Sequence, residues 1–257
     1  MKYRSHDQEK ENRGETTMKK TLLLSTACLF CCASLTRAAT CEDETRAILQ
    51  NTYPSFSFET VGPTPIDDLC EVASEKNTIY FAPKTGHLIF GEIWSKDGRN
   101  ITAEEQEKRI TQSLDALPLS KAVKIGSGSN TVIEITDPDC PYCRKGSEFF
   151  AGRSDVTRYI FFMPLDQMHP DAARKAEFIL AAKDQAKAYE QVMSGAFDFS
   201  PLPEFTPAGL LNEHRKIAAG LRISSTPRYW INGQPVSGFN PAQIEEILSN
   251  TVREKGR

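Results

Sequence analysis

Thr131-Val132-Ile133-Glu134-Ile135-Thr136-Asp137-Pro138-Asp139-Cys140-Pro141-Tyr142-Cys143 holds two cysteines two residues apart, directly behind a short apolar run. Thr131 to Thr136 has strand character, and Arg144 to Ala151 reads as a helix. At a strand-to-helix junction such a pair can close a small, reducible disulfide. The first cysteine then sits near the helix N-terminus, where free N–H groups and the helix dipole stabilise a thiolate. Pro141 suits the first helical position, because the N–H it lacks has no partner there. Local geometry alone therefore points to redox chemistry at Cys140 and Cys143.

The remaining cysteines are unevenly placed. The chain has 257 residues and seven cysteines, none of them after Cys143. Cys28, Cys31 and Cys32 lie in an N-terminal stretch that reads as a secretory signal. It has a basic start at Met18-Lys19-Lys20, an apolar run from Thr21 to Leu35, and small residues at Ala38-Ala39 for cleavage. The polar Met1–Thr17 is unusual ahead of such a signal, so Met18 is read as the start. The alternatives are a cytosolic protein with an apolar first helix and a lipoprotein anchored at Cys28. A cleaved signal leaves Cys41, Cys70, Cys140 and Cys143, an even set in an oxidising compartment. Cys41–Cys70 is then the second pair, against the alternative of two thiols that never meet. No run of about eighteen apolar residues marks a membrane span, and a net charge of −3 argues against a general nucleic-acid binder.

Outward from the cysteine pair, the chain divides into two folded parts. Cys41–Gln50 has an acidic first turn and reads as a helix. Tyr53–Val61 alternates in part and is broken by Gly62-Pro63-Thr64-Pro65; Leu69–Ala73, Thr78–Ala82 and Leu88–Trp94 then read as strands, separated by Ser74–Asn77 and by Pro83-Lys84-Thr85-Gly86. This α+β unit is small to stand alone, and such units often dimerise. Thr102–Leu117 reads as a linker helix, capped by Thr102 with Glu105. Gly126–Asn130 is a loop. Then follow the Thr131–Thr136 strand, the CxxC helix, a strand at Thr157–Met163, a long helix at Ala172–Val192 and a further helix at Pro207–Gly220. Arg228–Ile231 and Val236–Phe239 form a hairpin about Asn232-Gly233, and Pro241–Asn250 is a last helix. A βαβ half, a helical insertion and a ββα half make a thioredoxin-like arrangement. The boundaries are 1–39 for extension and signal, 40–101 for the N-terminal domain, 102–125 for the linker helix and 126–257 for the thioredoxin-like domain.

Within that arrangement Cys140 is the nucleophile and Cys143 the resolving thiol. Thr226-Pro227, after a helix and before a strand, occupies the place of a cis-proline facing the cysteines. A plain trans loop is the ordinary alternative for an X–Pro bond. A structural zinc site needs four ligands, and one CxxC supplies two. A c-type haem motif needs histidine at position 144, which is Arg144. No metal or cofactor is expected. His87, His169 and His214 read as surface residues. Asp137 and Asp139 tend to raise the Cys140 pKa, and Arg144 and Lys145 oppose them.

These features together resemble the periplasmic disulfide isomerases of the DsbC/DsbG type. Thr136 to Cys143 resembles their active-site stretch, Ala181 to Tyr189 their insertion helix, and Ser225-Thr226-Pro227 their cis-proline loop. Asn77–Gly91, with Tyr80, Gly86 and His87, resembles their N-terminal dimerisation domain. The resemblance implies a cystatin-like N-terminal dimerisation domain and a V-shaped homodimer with an apolar cleft for misfolded or mispaired periplasmic proteins. It also implies a membrane electron donor of the DsbD type. Pro141, Tyr142, Thr226 and Pro227 then meet substrate. Ala181 stands where a structural cysteine is expected, and no partner for it follows Cys143. In that respect, and in Pro-Tyr between the cysteines, the chain looks more like DsbG. Cys41 and Cys70 are additional. Isomerase or reductase activity is the leading expectation. Reduction of sulfenylated single-cysteine proteins, a chaperone-like dimer with secondary redox activity, and a DsbA-type oxidase are the alternatives.

Overall fold

The computed structural model describes residues 41–74 and 77–255, with side chains to residue 250. The expected signal segment lies outside the described residues. Among these residues no helix is long and apolar enough to cross a membrane.

The N-terminal part opens with α1 (Cys41–Thr52), followed by strands β1 (Thr60–Pro63), β2 (Cys70–Ala73), β3 (Thr78–Ala82) and β4 (His87–Ile89). The strands form an antiparallel meander in sequence order. Register explains why β2 is buried along its length. Cys70 lies opposite Phe81 and Val72 opposite Ile79, and these four join Leu49 and Val61 in a core under α1. The intervening pair, Glu71 opposite Tyr80, faces helix α2 (Ile101–Ser113). There Arg109 pairs with Glu71 and the Tyr80 hydroxyl bonds Thr102. Cys41 is joined to Cys70 by a disulfide, with Cα atoms 6.2 Å apart.

Thr102 is therefore not the helix cap. Asn100 caps α2, its side chain accepting from the Ala103 N–H at 3.0 Å. Thr102 is 2% exposed and its hydroxyl is committed to Tyr80 and to the Ile93 N–H. Tertiary burial outweighs the local capping pattern.

The second sheet contains β5 (Val123–Gly126), β6 (Asn130–Thr136), β7 (Val156–Phe162), β8 (Arg228–Ile231) and β9 (Gln234–Ser237), in the order β5-β7-β6-β8-β9. β6 and β7 run parallel and the other pairs antiparallel. Strand β5 falls within the segment read as linker, yet it pairs with β7. Around the sheet lie α3 (Pro141–Ala151), α4 (Ala172–Ala181), α5 (Gln185–Met193), α6 (Leu211–Gly220) and α7 (Pro241–Lys255). Alternation along β6 sorts its residues by face. Val132 packs with Phe150 of α3, while Ile133 and Ile135 pack with Ala218 of α6 and with Trp230. Helix α3 lies on Tyr229 so closely that a Cβ at Gly146 would fall 2.0 Å from the tyrosine oxygen.

The run expected as one helix over Ala172–Val192 is two. Ala182 is extended, and Asp184 caps α5 by accepting from the Lys187 N–H at 3.0 Å. Helix α6 begins at Leu211 rather than Pro207, behind Gly209 at φ +74°. The Asn232-Gly233 turn has φ of 50° and 82°, the left-handed pair a tight hairpin requires.

Candidate active site

Cys140 is the N-cap of α3 and Pro141 its first residue. Strand β6 delivers the chain to this point, and the Cys140 N–H bonds the Asp137 carbonyl at 3.2 Å. Across the site, Thr226-Pro227 is a cis peptide immediately before β8. The Cys140 Sγ lies 3.5 Å from the Thr226 carbonyl oxygen. Cys143 is fully buried one turn into the helix, and the Asp137 N–H donates to its sulfur at 3.4 Å. Tyr142 between them is 59% exposed, with Lys145 Nζ 5.4 Å from its ring.

The two thiols are electrostatically unequal. The Cys140 pKa is lowered to about 5, first by the thiol of Cys143 and then by the N–H groups of Cys143 and Tyr142 and by Thr226, against the cost of burial. Burial pushes the Cys143 thiol up, and the neighbouring Cys140 pushes it further; Thr136 and the Asp137 N–H pull the other way. One sulfur is thus held as a reactive thiolate and the other as a protonated reserve. This is the asymmetry a nucleophile and a resolving thiol need.

Asp137 and Asp139 do not act as free negative charges beside Cys140. Asp137 is fully buried and accepts from the N–H groups of Asp139 and Leu165 and from His169 Nδ1, at 2.8, 2.7 and 2.9 Å. Asp139 meets Arg144 at 2.7 Å and Lys175 at 2.6 Å, and both cations also bind Asp198. Arg144 further donates from Nε to the Pro138 carbonyl. This network ties the active-site loop to α4 and to the segment after α5. Lys175 and Asp198 escape sequence reasoning, since nothing local links them to a site 36 and 54 residues away.

Two histidines differ from their sequence reading. His214 is fully buried; its Nδ1 accepts from the Phe162 N–H and its Nε2 donates to the Lys121 carbonyl. Burial lowers its pKa. His169 is half-buried against Asp137. Of the histidines among the described residues, only His87 is exposed. Glu134 was also missed. It is fully buried, 2.7 Å from Arg158, and Tyr189 donates to it at 3.3 Å. Its signal was a lone carboxylate within an apolar strand. Among the described residues no group of three or more His, Cys, Asp or Glu side chains is placed to hold a metal.

A five-stranded sheet flanked by helices, with a dithiol at the start of α3 and a cis-proline loop opposite, defines a thioredoxin-like dithiol protein. Residues 117–251 match the thioredoxin-like domain family, and residues 36–103 match the disulfide bond isomerase N-terminal domain. The chain belongs to the thioredoxin-like domain family and carries that isomerase N-terminal domain in front of it. It is 31% identical over 144 residues to a probable thiol:disulfide interchange protein DsbC of Bordetella parapertussis, covering 55% of this chain and 50% of that one. The match thus spans half the length of that relative. It is 26% identical over 213 residues to the thiol:disulfide interchange protein DsbC of Escherichia coli K12, covering 79% of this chain and 86% of that one. A disulfide interchange protein from Neisseria gonorrhoeae superposes with a TM-score of 0.45 at 32% identity, over 52% of this chain and 97% of that one.

Proposed function

We propose that this chain is a thiol–disulfide isomerase and reductase acting on misfolded proteins. The observation that carries this reading is Cys140, held as a thiolate at the start of α3 and 3.5 Å from the backbone of the Thr226-Pro227 loop. Its thiolate attacks one sulfur of a substrate disulfide, and the other substrate sulfur leaves as a thiolate. The mixed disulfide then has two exits. The released substrate thiolate attacks a different substrate disulfide, which isomerises it, or Cys143 attacks Cys140 and frees a reduced substrate. The Thr226 backbone edge, with Pro141, Tyr142 and Pro227, receives an extended peptide.

Residues 40–101 serve as a dimerisation domain, 102–122 as linker and 123–257, with edge strand β5, as catalytic domain. The three-residue edge strand β4 has its far edge unpaired among the described residues, and Ile89, Phe90 and Trp94 beside it are 46%, 76% and 59% exposed. Such an edge suits strand addition by a second copy. The Cys41–Cys70 disulfide supports an oxidising compartment reached through a cleaved signal, the periplasm. A membrane dithiol donor of the DsbD type keeps Cys140 and Cys143 reduced there.

Reactivation of scrambled, disulfide-mispaired ribonuclease tests the reading, with Cys140→Ala as control. Recovery that depends on Cys140 supports isomerisation. No recovery, from a protein whose cysteines still cycle with a small dithiol, would turn the reading toward reduction of sulfenylated or single-cysteine clients.

A further inference from the structure

Two threonine hydroxyls near the cysteine pair, Thr136 Oγ1 and Thr226 Oγ1, are sealed from solvent with no hydrogen-bond partner among the described residues. A buried hydroxyl without a partner is costly and rare, so each asks for an explanation. Thr226 belongs to the substrate loop. Thr136 does not, and the site as described gives it no role.

Its position is set by the strand. Val132 of β6 packs with Phe150 of α3, and Glu134 bonds Tyr189 of α5. Alternation therefore turns Thr136, the last residue of β6, to the same face, the one that α3 covers. Cys143 lies on that face, and the next backbone N–H, of Asp137, already donates to its sulfur at 3.4 Å. Both Thr136 and Cys143 are fully buried. The Thr136 hydroxyl also acts on the Cys143 thiol in the direction of a hydrogen-bond donor to its charged form.

We propose that Thr136 is the hydrogen-bond donor to the resolving thiolate, its hydroxyl and the Asp137 N–H together holding the Cys143 sulfur when it ionises. This rests on the exchange chemistry proposed above. In the resolving step the Cys143 thiol gives up a proton, balanced by the one the leaving substrate sulfur takes up, and its thiolate attacks Cys140 Sγ. The Cys140–Cys143 bond forms, the bond from Cys140 to the substrate sulfur breaks, and the substrate sulfur leaves with the electron pair and is protonated. The enzyme is oxidised and the substrate disulfide reduced. The hydroxyl is idle while Cys143 is protonated and engaged when it is charged, so its contribution falls on the step rather than on the resting fold.

A hydrogen bond to a charged group, discounted for the lower nucleophilicity of a less basic thiolate, changes the resolving rate by roughly threefold to twentyfold. The titratable groups that interact with Cys143 include Cys140, Tyr189 of α5 and Tyr229 of β8, and the Glu134–Arg158 pair bonds the Tyr189 hydroxyl. Substitution at 136 changes none of them.

The test uses the full chain with Cys28, Cys31 and Cys32 replaced by serine, Cys41 and Cys70 left paired, and an aromatic disulfide, dithiobis-nitrobenzoate, as probe. Cys140 attack releases one nitrothiobenzoate and Cys143 resolution a second, so the two steps are read as two phases across pH. Expected for Thr136→Val is an unchanged first phase, a second phase slowed threefold to twentyfold and displaced to higher pH, and a melting temperature no lower than wild type. Thr136→Ser restores the second phase. A wild-type second phase in Thr136→Val, or a Thr136→Ser variant as slow as Thr136→Val, overturns the proposal. Should Thr136→Val not fold, Thr136→Ser against Thr136→Ala decides the question, and equal second phases in that pair overturn it. Loss of the first phase in the wild type would sink the proposed function and this inference with it; a normal first phase with an unaltered second sinks the inference alone.

Discussion

Trp230 Nε1 donates to Glu107 Oε1 at 2.9 Å, and Arg228 pairs with the other oxygen of the same carboxylate. Glu107 belongs to α2, the helix between the two sheets, whereas Arg228 and Trp230 belong to β8, which begins directly after cis-Pro227. Helix α2 is thereby fastened to the strand that follows the Thr226-Pro227 loop. Trp230 is 1% exposed, so its N–H has no recourse to water if the carboxylate is removed.

Glu107→Ala is expected to lower stability by about 1–3 kcal/mol, the cost of leaving a buried donor unpaired. Urea unfolding followed by tryptophan fluorescence measures it; a variant as stable as wild type would show that the contact contributes nothing.

The acidic thiol of Cys140 sets a pH dependence with a definite sign. Its folded pKa, about 5, lies below that of an unfolded cysteine. Alkylation by iodoacetamide should therefore be nearly constant from neutral pH to about 6 and fall with a midpoint near 5. By linkage, the stability contributed to the dithiol form is fully present above the unfolded pKa and is lost as pH falls through about 5. An alkylation midpoint near 8.5 would contradict the site electrostatics.

Arg158 and Glu134 form an ion pair sealed in the core, 3% and 0% exposed. Arg158→Leu strands a buried carboxylate and is expected to cost about 3–5 kcal/mol. The double variant Glu134→Leu with Arg158→Leu should recover most of that loss. Chemical denaturation of both decides it, and an equally destabilised double variant would mean that shape rather than charge is at stake.

The Cys41–Cys70 disulfide closes a loop of sequence separation 29. Replacing both cysteines with serine should destabilise the N-terminal part by about 3–4 kcal/mol through the entropy of the open chain. Thermal unfolding of this variant, against wild type with and without reductant, measures the effect; equal midpoints would refute it.

The strand, CxxC helix, hairpin and helical insertion were legible because each is written in neighbouring residues. Period-two alternation, Pro141 at a helix start and Asn232-Gly233 at a turn act over a few positions. Errors arose where a distant partner competes for a local signal. Thr102 fits a capping box, yet Tyr80 claims its hydroxyl. Asp184 looks like one more residue of an Ala-rich helix, yet it caps a new one. His214 sits in a polar run, yet the Phe162 N–H and the Lys121 carbonyl hold it in the core.

By itself the sequence determined the chemistry, because a cysteine reactive through a helix N-terminus needs only the residues on either side of it. It also determined the order of elements, through periodicity and turn residues. Tertiary structure decided which groups surround that chemistry: Thr226 against Cys140, the Asp137 N–H against Cys143, Lys175 and Asp198 about Asp139, Glu107 on β8. Those partners lie tens of residues apart, and burial, which raises the cost of any unpaired polar group, brings them together only when the whole chain has packed.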